Sequence, residues 1–443
     1  MKNQIIEYIS NDNFGELKKL LNEANVADIS EAFDELSKED IAVVYRLLPK
    51  NMAAEVFARM ENTTQEQLIE ILTDTEISSI TSRLYVDDAV DAISEMPANL
   101  VKRILANTNP EKRKYINTIL SYPDDSAGSI MTIEYVDLDE DMSVGVAIDR
   151  IRRIGRNKET IYTCYVTDDT RHLLGVVTVK DLLLHKNDEI IKDIMEDSLI
   201  SIGTLEDREE VAKMFDKYDF LAMPVVDNEN RLVGIVTIDD ALDVMSEEKE
   251  EDFEIMAAVS PSDDSYFKTS VFTHTKNRIV WLMLMMVSGI FTGSIITKYE
   301  EAFEYLPVLV SFIPMIMGTG GNCGSQASTM IIRGLATDEI ELSDVFRVWF
   351  KEFRIALLVG ISLGIVDGIY IYFVERNLAL SFVVATTLLC TVMIAKSLGC
   401  ILPMLAKRLN LDPAIMASPM ITTIVDATSI FIYFNVAMIA LGL

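Results

Sequence analysis

Histidine, cysteine and positive charge are scarce in this sequence of 443 residues. Its 3 histidines are scattered and its 4 cysteines form no C-x-x-C pair, which argues against a zinc site or a disulfide framework. Its 39 lysines and arginines face 69 aspartates and glutamates, too little positive charge for binding nucleic acid. The polar, acidic N-terminus predicts no cleavable signal peptide. Because no nucleophile–base pair, P-loop or metal-activated-water motif is present, we expect no enzymatic activity.

The acidic charge is confined to one part of the chain. The formal net charge is −30, yet residues 276–443 hold 12 acidic and 11 basic residues. Residues 1–275 carry the other 57 acidic and 28 basic residues, a net charge of −29. The long apolar runs lie in the nearly neutral part. The sequence therefore predicts an acidic soluble part joined to an apolar membrane part.

Five apolar segments predict the membrane part, each reaching the roughly 20 residues that a helix needs to cross a bilayer. Basic residues lie before the first segment, between the second and third, and between the fourth and fifth. By the positive-inside rule, the N-terminus is expected in the cytoplasm and the C-terminus outside. The predicted segments lie near 278–297, 305–332, 354–374, 379–405 and 413–441.

Residues 1–122 read as helices with an internal repeat. The stretches "PKNMAAEVFA" from Pro49 and "PANLVKRILA" from Pro97 share a pattern, 48 residues apart. This period predicts stacked helix pairs in an all-α superhelical domain.

A clearer duplication lies in residues 123–245. "LLGVVTVKDLL" reappears as "LVGIVTIDDAL", with Gly175 and Gly234 separated by 59 residues. Each unit alternates β-branched runs with amphipathic helices, which predicts an α/β fold. The duplication resembles a tandem pair of CBS domains, which implies either adenine-nucleotide binding or a purely structural pair. The ribose-contacting threonine and aspartate of that family correspond here to Thr178 with Asp181 and Thr237 with Asp240.

An acidic run follows the second unit. Acidic residues crowd positions 239–252, and residues 246–275 predict a connecting helix. The run is either a solvated linker or a lever that joins a sensor to a pore and shares its carboxylates with a divalent ion. Crowded carboxylates repel unless a cation screens them, which favours the lever.

The second apolar segment contains residues that are unusual in a membrane helix. Four of the seven residues at 318–324 are glycine, and the carboxamides Asn322 and Gln326 lie beside them. Close helix packing explains glycines. It does not require carboxamides, which are costly to place in hydrocarbon. The segment therefore favours a polar pore lining that includes Gly320 and Gly321.

The fifth apolar segment places Asp426 about 13 residues into a span, some 20 Å along a helix. An ionised carboxylate near the bilayer centre costs about 2.5–3.5 kcal/mol on insertion scales, so it should face water or a partner. Asp412 lies at the predicted cytoplasmic entrance, and Pro413 and Pro419 free nearby carbonyls. With the Thr422 hydroxyl they form an all-oxygen, anionic environment, which suits hydrated Mg²⁺.

The stretches "PMIMGTGGNCGSQ" (314–326) and "DPA…P…D" (412–426) resemble the MgtE-type magnesium channels, as does the domain order over nearly the whole chain. The resemblance implies a helical N domain (1–122), a CBS pair (123–245), a connecting plug helix (246–275) and a pore domain of five helices (276–443). It also implies a homodimer in the cell membrane with the pore between subunits, and Asp426 as the pore ligand of hydrated Mg²⁺.

The resemblance further implies regulatory Mg²⁺ ions held between cytoplasmic carboxylates. Ser418 departs from the family pattern, which implies an asparagine near the pore mouth. The implied metal ligands are Asp88, Asp91, Asp207, Glu209, Asp219, Asp240, Asp243, Glu248, Glu251 and Asp252, with Asp412 and Asp426 in the pore; the implied pore lining is Gly320, Gly321, Asn322, Gln326, Ser418 and Thr422.

Two charges within predicted spans do not fit a simple cation path. Lys396 would oppose conduction, so it should point away, snorkel or pair with an acid. Asp367 is either its partner or an additional cation site near the outer side.

The sequence thus favours a magnesium-selective channel for Mg²⁺ uptake, closed when cytoplasmic Mg²⁺ bridges the acidic domains. Two alternatives stay open at this point. One is a membrane-anchored adenine-nucleotide or ion sensor without a pore, which would need neither Asp426 nor the glycine–carboxamide segment. The other is a coupled divalent-cation carrier. ATP or another adenine nucleotide at the CBS pair is the expected cofactor besides Mg²⁺.

Overall fold

The computed structural model describes residues 1–262, 266–267, 269–299 and 307–441, without the side chains of Ser418 and Leu441. Its internal contacts divide the chain into two compact units, Met1–Glu248 and Lys249–Leu443.

The first unit begins with a helical array. Residues 2–119, all of them described, form ten helices: α1 (Lys2–Ser10), α2 (Phe14–Glu23), α3 (Val26–Asp34), α4 (Lys38–Leu47), α5 (Lys50–Ala58), α6 (Asn62–Ile71), α7 (Asp74–Thr81), α8 (Val86–Ser94), α9 (Ala98–Ala106) and α10 (Pro110–Ile119).

This array repeats every 24 residues. The odd-numbered helices begin at residues 2, 26, 50, 74 and 98, and the even-numbered ones at 14, 38, 62, 86 and 110. From α3 to α9, each odd-numbered helix packs on the next odd-numbered one. The predicted stack of helix pairs is confirmed, but the repeat is half as long as the 48 residues read from the sequence.

Local sequence explains why the helices are short. Polar side chains at several helix starts accept hydrogen bonds from first-turn N–H groups and so stabilise each new helix. Proline precedes α5 and α9, as the matched stretches from Pro49 and Pro97 require. The capping side chains are those of Asn13, Asn25, Ser37, Thr73 and Asn109.

Two α/β modules complete the first unit. Each has a three-stranded sheet in which the first strand runs parallel to the second and the second antiparallel to the third. This repeated architecture confirms the CBS pair. The elements are β1 (Val136–Asp139), α11 (Val144–Ile154), β2 (Thr163–Thr167), β3 (Leu173–Thr178), α12 (Val179–Leu184), α13 (Ile191–Ile194), β4 (Ile202–Gly203), α14 (Arg208–Tyr218), β5 (Ala222–Val226), β6 (Leu232–Thr237) and α15 (Ile238–Met256).

The duplicated glycines lie where the segment that begins one CBS module packs across the third strand of the other module. A Cβ on Gly175 would lie 2.7 Å from the sulfur of Met195, and a Cβ on Gly234 would lie 2.7 Å from the sulfur of Met131. Backbone hydrogen bonds accompany both crossings, including one of 2.8 Å from the Thr132 N–H to the Ile235 carbonyl. Only glycine leaves room for this exchange.

The acidic helix differs from the predicted connecting helix at 246–275. It begins at Ile238, directly after β6, and ends at Met256; the next long helix begins at Val271. Asp239 and Asp240 occupy the first turn of α15, where negative charge is favourable for the helix dipole. The helix therefore starts inside the second CBS module.

The second unit contains five long helices among its described residues: α16 (Val271–Lys298), α17 (Ile313–Ala336), α18 (Val345–Glu375), α19 (Leu378–Arg408) and α20 (Ser418–Leu441). Within the described ranges, four segments are long and apolar enough to cross a membrane: Val271–Lys298, Leu342–Glu375, Leu378–Arg408 and Pro413–Ala440. With 24 residues, α17 has the length of a span but carries the glycines and carboxamides.

The membrane unit is centred on α19, which packs against α17, α18 and α20, while α16 packs against α20. The chain is a multi-pass membrane protein with a helical bundle. Residues 305 and 306 of the predicted second span lie outside the described residues.

Candidate ion pathway and cytosolic acidic cluster

Asp426 lies beside a cavity of about 250 Å³ within the membrane unit. A Cβ added to Gly289 or Gly293 would meet no atom within 4 Å, so the α16 wall of this cavity is open. A carboxylate, three hydroxyls and apolar side chains therefore share one space between α16, α17 and α20. The lining residues are Met285, Ser288, Gly289, Thr292, Gly293, Ile296, Met317, Thr423 and Asp426.

The glycine-rich segment is a regular part of α17 and presents two different faces. On one face, Gly320 and Gly324 are buried, and a Cβ on either would lie within 3 Å of side chains of α19 or α20. On the other, Asn322 and Gln326 are exposed, and Gly318 has open space beside it. Close packing accounts for the buried glycines, which include Gly320 and Gly321 of the predicted pore lining. The carboxamides form an accessible polar stripe on the opposite side of the helix.

The N-terminal end of α20 is held by short hydrogen bonds. Asp412 caps the 3-10 turn Pro413–Met416 by accepting a hydrogen bond of 2.7 Å from the Ala414 N–H. The Thr422 hydroxyl donates to the Pro419 carbonyl at 3.0 Å, and the Thr422 methyl group packs against Gly321. In the segment predicted to form an oxygen-rich entrance, some backbone carbonyls therefore already accept hydrogen bonds from the protein itself. The Ser418 side chain lies outside the described residues.

The end of α15 packs against the same turn. Ile255 and Met256, in the last turn of α15, contact the apolar cluster formed by Ile332, Ala414 and Ala417. The acidic helix therefore ends on the segment that leads from Asp412 into α20.

The other end of α15 belongs to an acidic cluster in the first unit. We define the acidic cluster as Asp87, Asp88 and Asp91 of α8, Glu159 of the loop before β2, and Asp239, Asp240 and Asp243 of α15. Charges of α15 act on those of α8: Asp240 on Asp87, Asp239 on Asp88 and Asp243 on Asp91.

Desolvation makes several of these carboxylates difficult to ionise, although the side chains of Asp91, Asp239 and Asp243 keep an exposed edge. It raises the pKa of Asp88 and of Asp91 to about 6 and that of Asp240 to about 7. It also raises the pKa of Glu159 to about 8, with further contributions from neighbouring carboxylates. Asp87 is only 9% exposed, and burial followed by repulsion from Asp240 raises its pKa well above its usual range. Without a counter-ion the cluster is therefore electrostatically unfavourable.

Few protein groups neutralise the cluster. Lys112 and Arg59 lower the pKa of Asp88, while the Lys112 ammonium itself donates to the Leu84 carbonyl. The Glu159 Oε2 atom is buried and has no hydrogen-bond partner among the described residues. No three His, Cys, Asp or Glu side chains in the described ranges are close enough to enclose a bare metal ion. The arrangement fits a hydrated divalent cation, since Mg²⁺ keeps several of its waters.

Three of the other predicted regulatory carboxylates, Asp207, Glu209 and Glu248, have structural partners. Asp207 caps α14 by accepting from the Glu209 N–H at 2.9 Å, and Glu209 pairs with Lys213 at 2.9 Å. Asp219 ends the same helix in a left-handed conformation, so α14 separates it from Asp207. Glu248 pairs with Arg208 at 3.2 Å. Glu251 and Asp252 lie further along α15.

The two predicted nucleotide-contacting pairs are N-terminal caps of helices. Thr178 and Asp181 form a capping box at α12, with the hydroxyl donating to the carboxylate at 2.5 Å. The Thr237 hydroxyl likewise lies 2.5 Å from Asp240 at the start of α15. The two sites differ in access, because Thr237 is buried whereas Thr178 is half-buried. The structure also assigns Asp240 to the acidic cluster.

Sequence reasoning missed three members of the acidic cluster. Asp87 could have been found, because it lies four residues before Asp91 and so shares its helix face. Asp239 was part of the crowded run but was not singled out. No sequence signal marks Glu159, which is brought to α8 by its loop; the neighbouring Lys158 carbonyl accepts a hydrogen bond of 3.3 Å from the Tyr85 hydroxyl.

The structure also identifies the partner of Lys396. Its ammonium lies 3.5 Å from the Glu352 carboxylate of α18, so Asp367 is not the partner. Asp367 lies 15 residues after Glu352 on the same helix, about 22 Å along the axis.

A helical bundle with a carboxylate beside a cavity, joined to a helical array with clustered carboxylates, defines a cation-handling membrane protein. Comparison with protein families agrees along the chain. The MgtE intracellular N domain matches residues 24–125, CBS domains match 127–187 and 191–247, and the MgtE divalent cation transporter domain matches 313–436.

Individual relatives match over nearly the full length. The magnesium transporter MgtE of Thermus thermophilus is 36% identical over 429 residues, 96% of this chain and 95% of the relative. That of Bacillus subtilis is 33% identical over 430 residues, 94% of this chain and 95% of the relative. The chain therefore belongs to the MgtE family of magnesium transporters.

Two solved structures are similar to the N-terminal half of the chain. A crystal structure of the cytosolic domain of the Mg²⁺ channel MgtE in complex with ATP has a TM-score of 0.53 and 35% identity, covering 55% of this chain and 100% of that one. The soluble part of a magnesium transporter has a TM-score of 0.52 and 29% identity, covering 56% and 97%.

Proposed function

We propose that this chain is a Mg²⁺ channel of the cell membrane, with a cytoplasmic N-terminus and an outer C-terminus, and that cytoplasmic Mg²⁺ closes it. The observation that carries the proposal is Asp426 in a cavity inside the helical bundle. A hydrated divalent ion needs a carboxylate with space for its water shell, and this cavity offers both. The family relatives named as magnesium transporters support Mg²⁺ as the ion.

The polar face of α17 supports a pore between two copies of the chain. Asn322 and Gln326 are exposed on a helix that lies in the membrane unit. Carboxamides and backbone beside glycine are tolerated at membrane depth only against protein or water. A homodimer with its pore along this face would surround these carboxamides with the second copy of the chain and with pore water.

The acidic cluster supports Mg²⁺ sensing. An ion held between α8 and α15 would relieve the repulsion among Asp87, Asp240 and their neighbours. The same helix ends with Ile255 and Met256 packed beside the turn that leads into α20. Mg²⁺ closes the channel if it binds the arrangement with α8 and α15 together more tightly than any arrangement with them apart.

The CBS pair supports adenine-nucleotide binding at one of its two duplicated positions. Thr178 and Asp181 are half-buried and so accessible, whereas Thr237 is buried and Asp240 faces α8. The solved relative in complex with ATP supports this ligand class. We assign the nucleotide to the Thr178–Asp181 side and the Thr237–Asp240 side to the acidic cluster.

Mg²⁺ flux into liposomes that contain only this protein tests the channel. Asp426→Asn keeps the size of the side chain but removes its charge, so flux should fall by about a hundredfold or more if one carboxylate provides the pore ligand. Asp338→Asn, in the exposed loop after α17, is the matched control and should conduct like the wild type. Unchanged flux through Asp426→Asn, with both proteins inserted equally, would remove Asp426 from the mechanism.

A further inference from the structure

A buried ion pair joins two helices of the membrane unit. The Lys396 ammonium of α19 lies 3.5 Å from the Glu352 carboxylate of α18. Their side chains are only 6% and 12% exposed. The Glu352 Oε2 atom accepts no hydrogen bond within the described residues, so the ammonium is the charge that compensates it. Neither charge is tolerable alone at such a depth, because an unpaired buried charge is strongly destabilising.

The pair lies next to the layer where four helices meet. Ala356 follows Glu352 by one turn, Val392 precedes Lys396 by one turn, and both belong to the cluster that contains Val425 of α20. Val425 is the neighbour of Asp426 in the sequence, and Ala395 is the neighbour of Lys396.

Gly324 of α17 lies between Ala395 of α19 and Val425 of α20. A Cβ on Gly324 would lie 3.3 Å from the Ala395 carbonyl and 3.3 Å from a methyl group of Val425. The helix that carries the lysine and the helix that carries Asp426 are thus in near contact through α17. A net positive charge on α19 would act on a cation bound at Asp426, and twice as strongly on a divalent cation as on a monovalent one.

We propose that Glu352 is a positioning and specificity residue of the ion path, which neutralises Lys396 and so preserves the Mg²⁺ affinity at Asp426. The inference rests on the proposed channel function. An ammonium paired with a carboxylate is a dipole, whose field decays faster with distance than that of a charge. The pair also fixes α18 against α19, but its electrostatic effect reaches the ion and a purely mechanical clamp would not.

The test uses the full-length protein in liposomes, with Mg²⁺ flux measured over a range of external Mg²⁺ concentrations. Glu352→Gln leaves Lys396 uncompensated and should raise the half-saturating Mg²⁺ concentration about tenfold or more. Lys396→Gln leaves a net negative charge and should lower it. The double variant Glu352→Gln with Lys396→Gln has no net charge there and should return close to the wild-type value. Glu339→Gln, an exposed loop carboxylate, is the matched control and should leave the concentration unchanged.

The three variants separate electrostatics from folding. A mechanical clamp predicts that both single variants lose inserted protein and that the double variant does not recover half-saturation. Half-saturation at the wild-type concentration in Glu352→Gln, or no opposite shift in Lys396→Gln, overturns the inference. If Glu352→Gln fails to insert, the shift in Lys396→Gln and the recovery in the double variant still decide it. Absence of Mg²⁺ flux in the wild type would instead refute the proposed channel function.

Discussion

Replacing Asp240 with asparagine should stabilise the metal-free first unit of this protein at pH 8. Burial and neighbouring Asp239 raise the pKa of Asp240 from 3.8 to about 7. A shift of one pKa unit corresponds to about 1.4 kcal/mol, so ionised Asp240 lowers the free energy of unfolding by up to about 4 kcal/mol at pH 8. Asparagine removes that penalty while keeping the shape.

The sign of the pH dependence follows from the raised pKa. The folded protein binds a proton at Asp240 more tightly than the unfolded chain, so the stability is present below about pH 4 and is lost as the pH rises through about 7. The variant should therefore exceed the wild type by roughly 2–4 kcal/mol at pH 8 and by much less at pH 5. In a domain of this size, each kcal/mol moves the melting midpoint by about 2–4 °C.

Thermal unfolding of the cytosolic fragment 1–262 with EDTA, at pH 5 and pH 8, measures this difference. Asp149→Asn is the matched control, because this exposed carboxylate is paired with Arg152 away from the acidic cluster. Added Mg²⁺ should stabilise the wild type, by about 1.4 kcal/mol at ten times its dissociation constant, and the Asp240 variant less. A lower midpoint for the metal-free variant at pH 8, or an equal gain at both pH values, would refute the electrostatic reasoning.

Two further predictions concern regulation. The amide variants of Asp243, Glu248, Glu251 and Asp252, combined in one protein, should conduct Mg²⁺ but no longer close as cytoplasmic Mg²⁺ rises through the millimolar range; closure at the wild-type concentration would place the sensor elsewhere. Asp181→Asn breaks the capping box beside the proposed nucleotide position and should weaken ATP binding to the full-length protein about tenfold by calorimetry. Unchanged binding would move the nucleotide away from α12.

The order of domains follows from the sequence because composition and repeats change abruptly along it. The 24-residue repeat cannot be read from the sequence in the same way. Only every second odd-numbered helix is preceded by proline, as at Pro49 and Pro97. Side-chain caps replace proline elsewhere, so the visible pattern has twice the true period. For the glycine–carboxamide segment of α17, the sequence left close packing and a polar lining as rival explanations, and only the structure shows that Gly320 and Gly324 share a buried face.

Residues that meet through tertiary structure were harder to predict. For Asp87 in "VDDAVD", the spacing to Asp91 indicates a shared helix face, but only the packing of α8 shows that the Asp87 side chain is buried. Glu159 lies in a loop, where periodicity has no meaning. For Lys396 the sequence suggested Asp367 as a possible partner and did not single out Glu352, because spacing along α18 does not show which acid faces α19.

The 24-residue array gives Mg²⁺ binding a directional effect on folding cooperativity. In a linear array each repeat is stabilised by its own contacts and by its immediate neighbours. The cluster carboxylates of this array all lie on α8, in the fourth of its five helix pairs. An ion held there would therefore stabilise the fourth helix pair directly, through its contact with the CBS modules. It would stabilise the first pair only indirectly, through the interfaces between successive pairs. The terminal helices α1 and α2 would then unfold independently of the metal, while α7 to α10 would unfold only with its release.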